Sequence, residues 1–362
     1  MEKKKVTGML LVAALWLGLA GWAWLRPGTE FSVTERRELA QRPEMTWEKV
    51  LDGSVATDFE SYTLDQFPLR NGFRSLKAVS QYYLLNQLDN NGIYIADGSA
   101  AKLEYPLNED SVNHALKVFQ KIYDRYLSES KVYAAVVPDK GYYLAQAENY
   151  PTMDYEKLLK AVEQGTPYAS YVNLTDLLSA GDYYRTDTHW RQENLLPVAN
   201  RICDIMSTAK PEGLTSVKQA QPFYGVYYGQ AALPMAADDL YTLEGAWLED
   251  CTVLNYETGK TTGVYDWDKL QSDDLYQVFL SGSVSLLRID NPNAQTDREL
   301  IVFRDSFGSS LAPLLSRGYK TVTVVDIRYL SSAMLDRFLD FHGQDVLFLY
   351  STLVLNNSNQ LQ

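Results

Sequence analysis

The feature that most restricts the fold is a set of short apolar runs without polar interruption: Val132-Tyr-Ala-Ala-Val-Val137, Leu300-Ile-Val-Phe303, Thr321-Val-Thr-Val-Val325 and Val346-Leu-Phe-Leu-Tyr350. Strands apolar at nearly every position have to be buried on both faces, as parallel strands are when helices cover both sides of a sheet. Helical spacing lies between and before these runs. Val112, Leu116, Phe119 and Tyr123 recur at three- and four-residue intervals after the cap-like Asn108-Glu-Asp-Ser111, and residues 155–164 and 309–315 also read as helical. Phe73, Leu76, Val79 and Tyr83 predict a further helix, and residues 169–174 a further strand. Asn90-Asn-Gly ahead of Ile93-Tyr-Ile95 reads as a turn entering a short strand. Strand, helix, strand in succession predicts an α/β fold, a three-layer sandwich around a parallel sheet. Residues 211–298 break this texture. There Tyr224, Tyr227, Tyr228, Tyr241, Tyr256, Tyr265 and Tyr276 stand among Gly, Asp and Thr, which predicts an irregular or β-rich insertion between two halves of one domain. No internal repeat is present.

Val6 to Leu25 carries no charge. Twenty helical residues at about 1.5 Å each reach roughly 30 Å, the thickness of a bilayer core. Lys3, Lys4 and Lys5 precede the run and Trp16, Trp22 and Trp24 lie along it, as in a cytoplasmic tail followed by an interfacial anchor. Ala20 and Ala23 leave a cleaved signal peptide as the competing reading, but the run exceeds the roughly 7–15 apolar residues of a signal sequence. Residues 1–28 are therefore read as a basic tail and transmembrane anchor, 29–50 as a stalk, and 51–362 as an exported, extracellular domain of a single-pass membrane protein. The whole chain has 33 basic and 46 acidic side chains, net −13; after residue 25 the numbers are 30 and 45, net −15. Such acidity argues against nucleic acid as a partner, since gripping a phosphate backbone takes clustered Lys and Arg. Cys203 and Cys251 are the only cysteines, too few for a disulfide framework, and spacing leaves their pairing open.

Three histidines limit the chemistry available: His114, His189 and His342. His114 falls off the apolar face of its helix and reads as a surface residue. His189 has company in Asp187-Thr-His-Trp190, where an extended segment would project Asp187 and His189 to one side. A carboxylate there can hold one ring nitrogen protonated and leave the other as a base, although such a pair is more often a surface feature of a polar loop. With no second histidine nearby and no paired cysteine motif, a metal site has little support, and no cofactor motif is present. The second signal is Arg304-Asp-Ser306-Phe-Gly308, where an apolar strand ends, a serine stands at the turn and a helix begins. A serine there lies at the carboxyl edge of a sheet and beside the free N–H groups of a helix start. The plainer role for Asp305 or Ser306 is a helix cap. The motif is not Gly-x-Ser-x-Gly, so the common hydrolase elbow is not implied. Taken together, the two signals supply a nucleophile, a base and an orienter, 117 residues apart in sequence, which is no obstacle to assembly in space.

At these residues the sequence resembles the bacterial DHHW protein family, related to the exported SGNH-hydrolase-like proteins of alginate O-acetylation. The resemblance is carried by Tyr183-Tyr-Arg-Thr-Asp-Thr-His-Trp190, Arg304-Asp-Ser-Phe-Gly308, Asp326-Ile-Arg328 and the Asp345 to Tyr350 strand. It extends to Glu35-Arg-Arg-Glu-Leu-Ala40, Asp65-Gln-Phe-Pro-Leu-Arg70 and Asn91-Gly-Ile-Tyr94. It implies an SGNH-like fold with Ser306 as nucleophile, His189 as base and Asp187 as its orienter, supported by Trp190, Arg304 and Asp305. It also implies O-acetylation of a cell-envelope or secreted polysaccharide, without a cofactor, fed by a membrane-bound O-acyltransferase as acyl donor. An esterase with the same triad and a non-catalytic polysaccharide-binding envelope protein are the alternatives. Thr188 stands where the family name has a second histidine, and Gly282-Ser283 where relatives often have Gly-Asn. The residues after Trp190, Arg-Gln-Glu-Asn194, also depart from the family's usual helix start.

Overall fold

The structure, a computed structural model, describes residues 2–145 and 149–362; Met1 and the side chains of residues 2–4, part of the basic tail, lie outside the described residues. The chain divides into two compact units. One runs to Asn91 and takes in Tyr228–Pro234; the other comprises Gly92–Tyr227 and Met235–Gln362.

In the first unit, α1 (Glu2–Leu25) is an exposed apolar helix, long and apolar enough over Lys5–Leu25 to cross a membrane. After it, Phe31–Ser32 pairs antiparallel with Arg37–Glu38, and α2 (Trp47–Leu51), α3 (Ser54–Asp65) and α4 (Arg70–Val79) follow. The segment expected to be a stalk is folded onto its neighbours. The Arg37 guanidinium binds both Asp65 oxygens at 2.8 and 2.6 Å and holds that carboxyl down at about 2, while the Ala40 N–H donates to the same group. Arg70 and Arg74 close on Glu35. Charged pairs thus replace the apolar pattern that would have made this fold readable from sequence. The helical spacing of Phe73, Leu76 and Val79 does give α4, with a π-helical turn over Ser80–Leu84, but Phe73, Leu76 and Tyr83 face solvent while Ala78 is buried.

The second unit is built on an eight-stranded sheet. Numbered within that sheet in chain order, its strands are β1 (Val132–Val137), β2 (Ala169–Val172), β3 (Thr252–Asn255), β4 (Thr261–Thr262), β5 (Leu286–Asp290), β6 (Glu299–Arg304), β7 (Thr321–Val325) and β8 (Asp345–Ser351). Their order is 4-3-5-7-6-8-1-2. Strands 7, 6, 8, 1 and 2 are mutually parallel; 5, 3 and 4 continue the sheet antiparallel on one side. Alternate residues explain the unbroken apolar runs. Leu300, Val302, Leu347 and Leu349 enter one buried layer with Val198, Ile202, Leu311 and Leu314, from α7 (Leu196–Met206) and α8 (Gly308–Leu315). Ile301, Phe303, Val346 and Phe348 enter the opposite layer with Val112, Phe119, Leu158 and Val162, from α5 (Glu109–Tyr126) and α6 (Tyr155–Gly165). This is the three-layer α/β sandwich.

Two details differ from the expectation. The middle segment is not only an insertion, because β3, β4 and β5 within it extend the central sheet. Strand β5 alternates buried Leu287 and Ile289 with exposed Arg288, a half-buried pattern less conspicuous than the parallel runs. His114 is half-buried, its Nδ1 3.0 Å from the Ser358 hydroxyl, because the C-terminal turn packs over α5. Both cysteines are free and buried, and burial raises each thiol above its ordinary value.

The fully buried Leu349 in β8 tests the layer directly. Leu349→Ala is expected to lower the unfolding free energy of the second unit by about 2–5 kcal/mol, read by chemical denaturation followed by tryptophan fluorescence.

Candidate active site

Four strand ends gather polar groups at one edge of the sheet. Asp139 and Lys140 follow β1, Asp305 and Ser306 follow β6, Asp326 and Arg328 follow β7, and Thr352 follows β8. Ligands in open α/β sheets bind at this carboxyl edge, where strand order reverses. Here β6 is the reversal point, with β7 on one side and β8 on the other.

The loop carrying Asp187 and His189 is a closed hairpin rather than an extended segment. Tyr183 and Trp190 pair across its base, and the Tyr184 N–H donates to the His189 carbonyl at 3.1 Å. At its tip the His189 N–H donates to Asp187 Oδ1 at 3.0 Å, a turn that Asp two residues ahead of a backbone donor forms readily. The turn brings the two side chains together. His189 Nδ1 lies 2.5 Å from Asp187 Oδ1, and Nε2 lies 2.8 Å from Ser306 Oγ. With a carboxylate against Nδ1, that nitrogen carries the proton, so Nε2 accepts from the serine hydroxyl. Asp187 is wholly buried, His189 7% exposed and Ser306 half-buried, so the chain of hydrogen bonds opens to solvent at its serine end.

Several groups fix the loop. Asp187 Oδ2 accepts from the Val226 N–H at 2.8 Å. A side chain on Gly225 would put its Cβ 2.1 Å from Asp187 Cβ, so only glycine allows the approach. The buried Asp238 accepts from the Arg185 and Thr186 N–H groups at 2.9 and 2.8 Å and from the Thr186 hydroxyl at 2.6 Å. Lys140 is buried, donates to the Tyr184 carbonyl at 2.7 Å and lies 5.3 Å from the Tyr227 ring centre. Burial pulls its ammonium down to about 7, against the opposing pull of Asp187, Asp238 and Asp139. The Tyr276 ring stacks on the His189 ring with centroids 3.8 Å apart and planes 7° from parallel, which fixes the imidazole plane.

Ser306 stands in the tight turn between β6 and α8. Asp305 does not cap through to the histidine. Its Oδ1 accepts from the Phe307 N–H at 3.0 Å and its Oδ2 from the Ser351 N–H at 2.7 Å, tying the end of β6 to that of β8. Trp190 reaches across to α8, its indole N–H donating to Ser310 Oγ at 2.9 Å, where the Tyr276 hydroxyl also meets it at 2.9 Å. Arg304 is fully buried, 3.4 Å from Asp326, and donates to the Gly282 and Val284 carbonyls at 3.3 and 3.4 Å. Those contacts secure Leu280, Ser281 and Gly282, three consecutive residues with positive φ, beside exposed Ser283. Ser306, His189 and Asp187 therefore meet directly, and Trp190, Arg304 and Asp305 hold the segments around them. Sequence reasoning missed Tyr276, Lys140, Gly225 and Asp238. Only Lys140 had a usable signal, in Pro138-Asp-Lys140 at the end of a buried strand.

Two substitutions probe this frame. Gly225→Ala is expected to lower the reactivity of Ser306 toward an activated ester by more than about tenfold, the scale of a displaced positioning contact. Gly263→Ala, where the nearest atom to an added Cβ is 3.9 Å away, is expected to leave it unchanged. Because the Lys140 ammonium titrates lower in the folded than in the unfolded chain, the unfolded state holds the extra proton above about pH 7, and stability rises with pH from there toward the ordinary lysine value. Melting temperatures across that window should show Lys140→Met lacking this part of the rise.

No protein-family model matches this sequence, and no curated protein matches it. Solved structures do. The chain is similar to a DHHW family protein from Eubacterium siraeum, with 21% identity and a TM-score of 0.59 over 75% of this chain and 95% of that one. It is also similar to PatB1 of Bacillus cereus solved with a sulfonyl adduct, at 17% identity and a TM-score of 0.56 over 73% and 95% of the two chains. A second structure of Bacillus cereus PatB1 gives 16% identity and a TM-score of 0.55 over 73% and 96%. At these identities the likeness is one of fold: the chain shares the mixed α/β fold of these proteins.

Proposed function

We propose that this protein is an exported O-acyltransferase of the DHHW type that transfers acetyl groups to a polysaccharide of the cell envelope or a secreted one, held at the membrane by α1. The observation that carries the reading is the hydrogen-bonded series Asp187, His189, Ser306 at the carboxyl edge of the sheet. His189 Nε2 takes the Ser306 proton as Oγ attacks the acyl carbonyl, and the imidazolium is stabilised by Asp187. The imidazolium then protonates the leaving group, leaving an acyl ester on Ser306. A sugar hydroxyl enters, gives its proton to Nε2 and attacks that ester; His189 returns the proton to Oγ as the acylated sugar departs.

Developing oxyanion charge needs donors already in position. Within the serine turn the Phe307 N–H is spent on Asp305 Oδ1 and the Gly308 N–H on the Asp305 carbonyl, while the Ser306 N–H has no acceptor among the described residues. The Ser306 N–H is the oxyanion donor in this reading. The acyl donor is a membrane-bound O-acyltransferase, since the exported domain has no access to cytoplasmic acetyl thioesters. The acceptor is a neutral or weakly charged glycan. The second unit carries 22 basic and 35 acidic side chains, and that net charge repels a polyanion within roughly a Debye length of 8–10 Å.

PatB1 is solved with a sulfonyl adduct; an aryl sulfonyl fluoride is expected to add its sulfonyl mass to Ser306 of this protein, located by peptide mass spectrometry. With an aryl acetate, Ser306→Ala and His189→Ala are expected to lower turnover by roughly 10³-fold or more and Asp187→Asn by about 10²–10⁴-fold. Turnover unchanged in Ser306→Ala and no modified serine would overturn the enzymatic reading. Acetyl found on added glycans supports transfer; free acetate alone in their presence supports an esterase instead.

A further inference from the structure

The first unit displays an apolar surface that the second does not. Within residues 26–91, fifteen large apolar side chains are exposed, against seven in the whole of the second unit, where four of the seven are tyrosines. They are organised by helix geometry. On α4 and the turn after it, Leu69, Phe73, Leu76, Tyr83 and Leu84 fall at three-, four- and seven-residue spacings along one stripe, 45–75% exposed. The opposite stripe is turned inward: Ala78 is fully buried, and Arg74 bonds Glu35 and the Gly229 carbonyl. An ordinary surface helix presents these faces the other way round. Trp47 and Leu51 on α2 are 84% and 85% exposed. An exposed apolar patch of this extent marks an interaction surface.

Three observations say what covers it. First, α1 belongs to the same unit and leaves the patch open, since its own apolar side chains are exposed too. Second, the Trp16 ring lies 6.3 Å from that of Phe67, and Trp16, Leu64, Phe67 and Phe73 line a cavity of about 560 Å³ that Glu35, Arg70, Arg74 and Lys77 also line. Trp16 is nine residues before the end of α1, about 13 Å along the axis, so this part of the patch lies alongside the apolar helix and not beyond its end. Third, residues 26–91 hold 8 basic and 10 acidic side chains, nearly balanced, with Lys77 exposed beside the stripe, so this unit avoids the repulsion that the acidic second unit would meet at an anionic surface.

We propose that the apolar stripe of α4 and its following turn, with Trp47 and Leu51 of α2, lies in the outer leaflet of the bilayer beside α1, making the first unit a membrane-lying platform. The occupant is lipid, its acyl chains against the leucine and aromatic side chains. This is the way an amphipathic helix lies on a bilayer, apolar face down. It rests on the anchor reading of α1, and on nothing in the acyl-transfer chemistry.

The test uses the full chain with a protease site inserted between Pro27 and Gly28. It is reconstituted in vesicles of phosphatidylethanolamine and phosphatidylglycerol, or kept in its native membranes, then cut and sedimented. The mass of the uncut chain shows whether residues 1–27 are retained, which tests the anchor separately; aryl acetate turnover of the cut protein tests the catalytic reading separately. The expected result is that the cut protein stays with lipid-only vesicles, in high salt as in low. Leu69→Glu/Leu76→Glu/Leu84→Glu is expected to raise the released fraction about tenfold, as the loss of three buried leucines requires at the least. Trp47→Ser/Leu51→Ser, on a separate helix, carries the same expectation should the triple variant not fold. Equal release of wild type and variants overturns the proposal. So does retention in native membranes without retention on lipid alone, which would assign the patch to a membrane protein, and so does release by salt, which would assign the attachment to charge.

Discussion

The site is organised around one buried carboxylate. Asp187 has no exposed surface, and a buried charge is tolerated only when hydrogen bonds and countercharge replace its water. Here Oδ1 takes the His189 N–H and ring Nδ1, and Oδ2 the Val226 N–H, all within 3.0 Å. Meeting those needs fixes much else. The chain must reverse at Thr188, position 225 must be glycine, and the Gly225 to Val226 backbone must press against the loop. A second buried carboxylate, Asp238, performs the same service for the Arg185 and Thr186 N–H groups. Two buried carboxylates thus do for an irregular loop what a sheet ladder does for a strand, supplying acceptors for backbone donors that would otherwise be stranded.

The serine half of the site is positioned by independent means. Asp305 ties the end of β6 to the end of β8, and Arg304 anchors the left-handed Leu280 to Gly282 turn. What joins the halves is the Ser310 hydroxyl, which receives Trp190 from the histidine loop and Tyr276 from the ring stack. Ser310 lies four residues beyond Ser306, so one short stretch, the turn into α8 and its first residues, carries both the Ser306 hydroxyl and the fastening that aligns His189 with it.

How much of this could be read from sequence depended on which physical signal each part left. The parallel strands were legible because burial on both faces removes every polar residue from them. Asp187, His189 and Ser306 were legible because histidine is scarce in this chain and a serine after an apolar strand has few settings. Tyr276 was not, since it is one of 26 tyrosines and its role lies in a ring contact with a residue 87 positions earlier. Gly225 was not, since the atom that requires it belongs to Asp187. The folding of residues 29–50 was hidden because Arg37, Glu35 and Asp65 hold it by charge, and the three strands of the middle segment because half-buried alternation is easily lost among polar turns.

Polarity runs opposite to the usual arrangement at two places in the protein. In the second unit, Lys140, Arg304, Asp139, Asp187, Asp238, Asp305 and Asp326 are all buried around the carboxyl edge of the sheet, where apolar side chains of similar volume would pack without desolvating charge. In the first unit, leucine and aromatic side chains face outward along a helix whose buried side carries Arg74 and Ala78. Neither arrangement stabilises an isolated soluble chain, and each has a separate rationale. Buried charges can hold a hydrogen-bonded series in one geometry because each partner's loss would leave another uncompensated. An outward apolar stripe loses its cost only when water is removed from it, and in this chain it lies within the same compact unit as the helix best suited to enter a bilayer.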